Sequence, residues 1–273
     1  MGNIVLDLIF VAVFHWDVAG VAWATFIAQG IACILAVISL IRRLRGLETK
    51  EKPVYFSSMM LGKVTVIAIP SILQQSFISI GNMFIQGCVN SFGSSVIAGY
   101  SAGVKLNTFA LTCYTTIGNA MSNFTAQNIG AGKTDRVKKG LKAGILFNYA
   151  IIIPILIAFI VFGKQMIGLF LTTESTDAIN CGVLFLKIIS PFYFAVAAKI
   201  LVDGLLRGSG AMVAFTTSTF IDLILRVILA YIFAGMLGSE TGIWLSWPFG
   251  WTIATCVTLA FYFKGGWKKA RVY

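Results

Sequence analysis

Eight apolar runs separated by short polar breaks organise the chain. They lie at about Asn3–His15, Val18–Ile41, Val64–Val89, Val96–Asn128, Ala143–Phe162, Cys181–Leu206, Val213–Leu237 and Gly242–Phe263. Most reach the ~20 residues with which a helix crosses a ~30 Å hydrocarbon layer. The pattern therefore predicts an all-α polytopic membrane protein with about eight transmembrane helices. The first run is the exception, because a helix of that length rises only ~20 Å. It starts at residue 3 and reads as a span cut short, so the expectation is a chain that begins inside a helix of a longer protein.

Polar residues inside the runs fall on single helical faces. The third run carries Ser71, Gln75, Ser79, Asn82, Gln86 and Asn90 at steps of three and four. The fourth carries Ser101, Lys105, Thr108, Thr112, Thr115, Asn119 and Asn123 in the same rhythm. The eighth places Trp244, Trp247, Trp251, Thr255, Thr258 and Tyr262 on one face. Such groups are costly against lipid, so they should face the bundle interior or a wet cavity. Ser, Thr and Asn also glue helices together, which is the plainer alternative. Unbroken stripes on several helices, with Lys105 and a tryptophan face, favour a polar-aromatic cavity. The expected substrate contacts are Gln75, Ser79, Asn82 and Lys105, with Trp251 as an aromatic wall, a surface that suits organic cations.

Composition agrees with a membrane protein. Charged residues make up 11% of the chain and hydrophobic ones 58%, against roughly 25% charged in soluble domains, which excludes a soluble globular enzyme. The net charge of +11 is unevenly placed. Arg42, Arg43, Arg45, Lys50, Lys52, Lys63, Lys133, Arg136, Lys138, Lys139, Lys142, Arg207, Lys264, Lys268, Lys269 and Arg271 fall on one set of alternating loops. Lys164 is the single cation on the other set, where Asp17, Glu174, Asp177 and Glu240 gather. The positive-inside rule then puts the loops after spans two, four and six, and the C-terminus, in the cytoplasm. The expected location is the plasma (inner) membrane. A nucleic-acid surface would not alternate so strictly, and none is expected as a partner.

Ionisable residues inside the spans are the sharpest markers. Lys199 and Asp203, Asp203 and Arg207, and Asp222 and Arg226 each stand four apart. They are read either as helix-supporting ion pairs or as ion-coupling groups. Asp203 and Asp222 can carry a proton where desolvation favours the neutral acid, but their neighbouring cations act the other way. Catalytic constellations are lacking. The single His15 sits beside Trp16 and Asp17 and offers no metal-ligand spacing. The cysteines, Cys33, Cys88, Cys113, Cys181 and Cys256, all lie in apolar stretches without a C-x-x-C and read as packing residues. No G-x-x-x-x-G-K motif marks an ATP-driven subunit. No cofactor or metal is expected, only a coupling ion, H+ or Na+.

A weak internal repeat is also present. Asp7-Leu8-Ile9 recurs as Asp222-Leu223-Ile224, and Gly20-Val21-Ala22-Trp23 as Gly242-Ile243-Trp244-Leu245. Spans one and two thus echo spans seven and eight in the same orientation, a parallel repeat of the kind some transporters carry. With a six-span unit, spans three to eight make one complete unit, and spans one and two close another whose four earlier spans would precede them.

These residues carry a family likeness. Ile69-Pro70-Ser71-Ile72-Leu73-Gln74-Gln75, then Gly130-Ala131-Gly132-Lys133-Thr134-Asp135-Arg136, then Leu206-Arg207-Gly208-Ser209-Gly210 resemble the multidrug and toxic compound extrusion (MATE) family. So do Asn3-Ile4-Val5-Leu6-Asp7 and Val18-Ala19-Gly20-Val21-Ala22. The likeness covers the whole chain and is closest to the bacterial DNA-damage-inducible branch. It implies two six-helix lobes around a central cavity and exchange of organic, often cationic drugs for protons or sodium ions by alternating access. Residues 1–41 would then be the last two helices of the N-lobe, 42–63 a cytoplasmic linker, 64–263 a six-helix C-lobe and 264–273 a basic cytoplasmic tail. Gly130, Gly132 and Gly208 would serve tight turns. The resemblance also implies a small organic substrate, a bilayer environment and a monomer at full length. Two departures stand out: the branch's proton-linked acid lies on a helix before this chain's start, and the third span has Gln74 and Gln75 where other members place an acid. Span six has only Asp203, close to the Leu206-Arg207-Gly208 turn. The alternatives are a flippase for lipid-linked oligosaccharides of the same superfamily and a fragment that does not transport. An enzyme is not expected.

Overall fold

The computed structural model describes residues 2–46, 56–171 and 175–268. The described residues are built from helices. α1 (Gly2–Leu8) runs into a π-helical turn (Ile9–Val13) and is followed by α2 (Asp17–Arg45), α3 (Ser58–Asn90), α4 (Ser94–Gly130) and α5 (Thr134–Gly168). After α6 (Thr176–Ile189) a 3-10 turn (Ser190–Phe192) leads into α7 (Tyr193–Gly208), and α8 (Met212–Leu237) and α9 (Thr241–Lys264) complete the order. α6 and α7 continue one another through the turn at Pro191, where the ring removes a backbone donor. The helices thus form one rod for each apolar run.

Six of the rods are long and apolar enough to cross a membrane: α2, α3, α5, α6–α7, α8 and α9. The first rod is shorter, as its run predicted. α4 is 37 residues long, but its Ser, Thr and Asn residues hold its hydropathy below theirs. Several rods overshoot their apolar runs. α5 starts nine residues before Ala143 because Thr134–Lys142 is helical too. Lys50, Lys52, Glu174, Lys269 and Arg271 fall outside the described residues, as do residues 47–55 of the expected linker, whose two ends continue α2 and α3.

The chain divides into two units, Met1–Ser57 and Ser58–Tyr273. In the first, α1 folds back on α2 through His15 and Asp17, both with positive φ (55° and 43°), a backbone region that costs energy for any residue but glycine. Phe10, Phe14 and Trp16 cluster at this bend, and Gly20 packs tightly against Trp16 and Phe10, where a Cβ would make them give way slightly.

In the second unit α4 packs on α5, α6 and α7, while α8 pairs with α9 and α3, and α7 joins the groups through α9. Small residues let backbones touch, the usual way for helices to associate without a hydrophobic driving force. A Cβ on Gly99 would strike the Ala178 carbonyl, one on Gly204 the Gly118 carbonyl, and one on Gly208 the Ser122 carbonyl. This glycine seam fixes the orientation of α4. Gly99, Gly103, Leu106, Ala110, Tyr114 and Gly118 are buried, so the expected polar stripe lies on the opposite side. Ser101, Lys105, Thr108, Thr112 and Asn123 are exposed on this unit rather than packed in its interior, while Thr115 and Asn119, also exposed, open onto the cavity between α3, α4, α7, α8 and α9. The α9 face behaves as the spacing predicts: Trp244, Trp247, Trp251, Thr255 and Thr258 are all buried.

The C-terminal end also differs from a free tail. Gly265 takes a left-handed φ of 72° and turns Trp267 back. The Trp267 ring stacks on Tyr262, its Nε1 donates to the Tyr262 carbonyl at 3.0 Å, and it is 1% exposed. All five cysteines are free.

Candidate functional site

A cavity of about 520 Å³ opens inside the second unit, lined by α3, α4, α7, α8 and α9. That is the size range of small-molecule sites. Its charge comes from two helices. On α7, Lys199, Asp203 and Arg207 follow one another at steps of four, and on α8 Phe215, Thr219, Asp222 and Arg226 follow at steps of three and four. Each set therefore shares one helical face. Ile78, Leu111, Val196, Ile200, Leu223 and Trp251 supply apolar wall.

One ionic contact organises the floor. Lys199 Nζ meets Asp203 Oδ2 at 2.6 Å, with both side chains under one-tenth exposed. The other carboxylate oxygen, Oδ1, accepts from Ser218 Oγ at 3.0 Å and from Thr258 Oγ1 at 3.1 Å. Asp203 thus ties α7 to α8 and α9, with both of its oxygens satisfied. A buried ion pair is held this way only when hydrogen bonds complete its shell.

The other four-apart pairs do not close. Arg207 turns from Asp203 to α4, where it donates to Asn119 Oδ1 at 2.5 Å and to Ser122 Oγ at 3.4 Å. Asp222 and Arg226 form no ion pair among the described residues. Arg226 instead lies 4.6 Å from the centre of the Trp247 ring, a cation–π contact. Its Nε is buried without a hydrogen-bond partner, as is Asp222 Oδ1. The reason is geometric. Gly250 of α9 presses close to Asp222 Oδ1 and to Arg226 Cβ, and Trp247 one turn earlier offers the guanidinium a ring face.

Of the expected substrate contacts, Gln75 and Trp251 line the cavity. Ser79, Asn82 and Lys105 do not. Ser79 donates to the Gln75 carbonyl one turn back at 3.2 Å, Asn82 is exposed further along α3, and Lys105 Nζ reaches over the Phe170 ring at 5.4 Å. Ser79 is next to Ile78, which does line the cavity, but falls on another face of α3, while Asn82 and Lys105 stand beyond Ile78 and Leu111, the outermost lining residues of α3 and α4. Lys199, Asp203, Arg207, Asp222 and Arg226 all line the cavity together.

Sequence reasoning passed over Ser218, Thr219 and Ser122. Thr219 Oγ1 accepts from Gln74 Nε2 at 2.9 Å, a link between α8 and α3 at the cavity wall. The signal was available for α8: Thr216-Thr217-Ser218-Thr219 is an unbroken hydroxyl run inside an apolar span. Among the described residues there is no cluster of His, Cys, Asp or Glu that could hold a metal ion.

Long apolar helices around a charged, partly apolar cavity define a polytopic membrane protein with a cavity in its helical bundle. The MatE family model matches residues 70–232, more than half of the chain. The chain belongs to this family, whose members are transporters rather than enzymes. It is 29% identical over 273 residues to the probable multidrug resistance protein YpnP of Bacillus subtilis, covering 99% of this chain and 60% of that protein. It is 22% identical to the multidrug export protein MepA of Staphylococcus aureus, over 89% of this chain and 53% of MepA. Among solved structures, a MATE protein in complex with MaL6 superposes with a TM-score of 0.87 at 20% identity, over 98% of this chain and 61% of that one. An outward-facing multidrug resistance MATE family transporter gives 0.86 at 21% identity, over 98% and 61%. The chain spans about 60% of the length of YpnP and of both structures.

Proposed function

We propose that this chain serves a secondary antiporter that exports small organic molecules in exchange for protons or sodium ions by alternating access. The supporting observation is the cavity itself: five ionisable side chains gathered with Trp251 between membrane-length helices. Membership of the MatE family, and the multidrug resistance and export proteins it resembles, point the same way. In this reading residues 64–263 act as one lobe and residues 1–41 belong to another, joined by a cytoplasmic linker at 42–63. The protein sits in the plasma (inner) membrane with its C-terminus in the cytoplasm, works as a monomer and needs no cofactor beyond its coupling ion. Proteoliposomes carrying the protein should take up a fluorescent drug when a pH or sodium gradient is imposed. Movement that ignores both gradients, or follows ATP alone, would refute the antiporter reading.

A further inference from the structure

The charges that line the cavity do not balance. Lys199 and Asp203 neutralise each other, and both oxygens of Asp203 are occupied. Arg207 is held by neutral acceptors, Asn119 and Ser122, so its charge stays uncompensated. Arg226 is only 7% exposed and makes no hydrogen bond among the described residues. That leaves two guanidinium groups against the single carboxylate of Asp222, an excess of one positive charge. A buried guanidinium without acceptors is costly and marks a place where a partner is expected.

The state of Arg226 says which partner. The centre of the Trp247 ring lies 4.6 Å from its Cζ and no hydrogen bond engages the guanidinium among the described residues, so its planar set of N–H groups is left for a forked acceptor. Carboxylates fit that fork in a bidentate way. Beside it, Ile78, Leu111, Leu223 and Trp251 line the same space and would take an apolar body. We propose that this cavity binds an amphipathic organic anion, its carboxylate on Arg226 and its apolar part against Trp251. This replaces the organic cation expected from the aromatic face alone, because the excess guanidinium repels a cation and Trp251 then receives the apolar part of the ligand rather than its charge. The inference rests on reading the cavity as a substrate site and names the class of substrate.

The test uses two probes of matched shape and opposite charge, 2-naphthoate and 2-naphthylmethylammonium. Equilibrium dialysis against the purified full chain in detergent, with empty micelles as blank, gives both affinities without any gradient. Naphthoate should bind at least about ten-fold more tightly than the amine, the scale of one charge-assisted hydrogen bond. Arg226→Met should lower naphthoate affinity by about ten-fold and leave the amine unchanged, and Arg226→Lys should recover part of the loss, since an ammonium keeps the charge without the fork. Should Arg226→Met fail to fold, Arg207→Gln supplies the second variant, because its amide nitrogen stands where Arg207 Nε does beside Ser122, and it too must weaken naphthoate. Tighter or equal binding of the amine overturns the anion inference and leaves the transport reading standing. Unchanged naphthoate affinity in folded Arg226→Met overturns it as well. If neither probe binds, the cavity is no substrate site and both readings fall.

Discussion

Lys199 and Asp203 meet one turn apart on α7, Nζ to Oδ2 at 2.6 Å, in a place where neither side chain is more than a tenth exposed. The pair has a stability consequence that is asymmetric. Asp203→Asn leaves the Lys199 ammonium buried without a counter-charge and should destabilise the protein by about 3–5 kcal/mol. Replacing both partners, Lys199→Met with Asp203→Leu, should restore much of that loss, because apolar pairs of similar volume are often tolerated where one orphaned charge is not. Thermal unfolding in detergent compares the three proteins. A double variant as unstable as the single one would mean that the links to Ser218 and Thr258, not the ion pair, carry the stability.

The glycine seam between α4 and α7 predicts a position-specific response. A methyl on Gly204 would strike the Gly118 carbonyl, so Gly204→Ala should cost about 1–3 kcal/mol as an overpacking substitution. Gly235 on α8 has open space around it. There alanine should be neutral or stabilising by up to ~1 kcal/mol through its better helix propensity. Melting temperatures of the two variants should move in opposite directions or differ clearly. Equal shifts would mean the two helices do not touch at this point.

Trp267 offers a test of the C-terminal turn. Its ring is 1% exposed and stacked on Tyr262, so Trp267→Ala should cost about 3 kcal/mol as a large-to-small truncation. Gly265, at φ 72°, should tolerate Asn better than Val, since Asn enters the left-handed region more readily. Limited proteolysis and unfolding midpoints would read both. A Trp267→Ala protein with wild-type stability would show that the turn is a loose end.

The arrangement of cations makes a topological prediction. Green fluorescent protein fused after Tyr273 should be fluorescent and alkaline phosphatase at the same point inactive, as the positive-inside rule requires of a cytoplasmic C-terminus. Alkaline phosphatase inserted in the acidic break between the fifth and sixth apolar runs should be active. The reverse pattern would invert the orientation drawn from Arg42 through Arg271.

Particular residues show which features the sequence made legible. Hydrophobic runs announced the rods, because a span must satisfy its backbone internally and helical length follows from membrane thickness. The Trp244–Trp247–Trp251 face was legible as a face, and it is buried. Spacing alone did not say what a face would meet. The α4 stripe from Ser101 to Asn123 is exposed on its unit because the glycine side makes the tighter contact, and closeness of backbones is a property of pairs of helices. The four-apart rule similarly identified three ionic pairs and could not rank them. Arg207 found Asn119, 88 residues away, and Arg226 found Trp247, so tertiary partners outcompeted local ones. Only Lys199 and Asp203, closed off by Ser218 and Thr258, kept the local solution.

That local solution bears on how the protein is made. A charge inserted alone at the centre of a span costs roughly 2.5–3.5 kcal/mol on the scale read from the insertion machinery. Lys199 and Asp203 lie on the same helix, so they can neutralise each other before any neighbouring helix arrives. Within Thr176–Gly208 these two charges can therefore enter the bilayer as a closed pair. Asp222 and Arg226 also share a span, Met212–Leu237, and are spaced to neutralise each other on the way in, yet in the folded bundle Arg226 lies against Trp247 of α9 instead. Because α9 is the next helix to emerge, that exchange of a local partner for a tertiary one can follow directly on insertion.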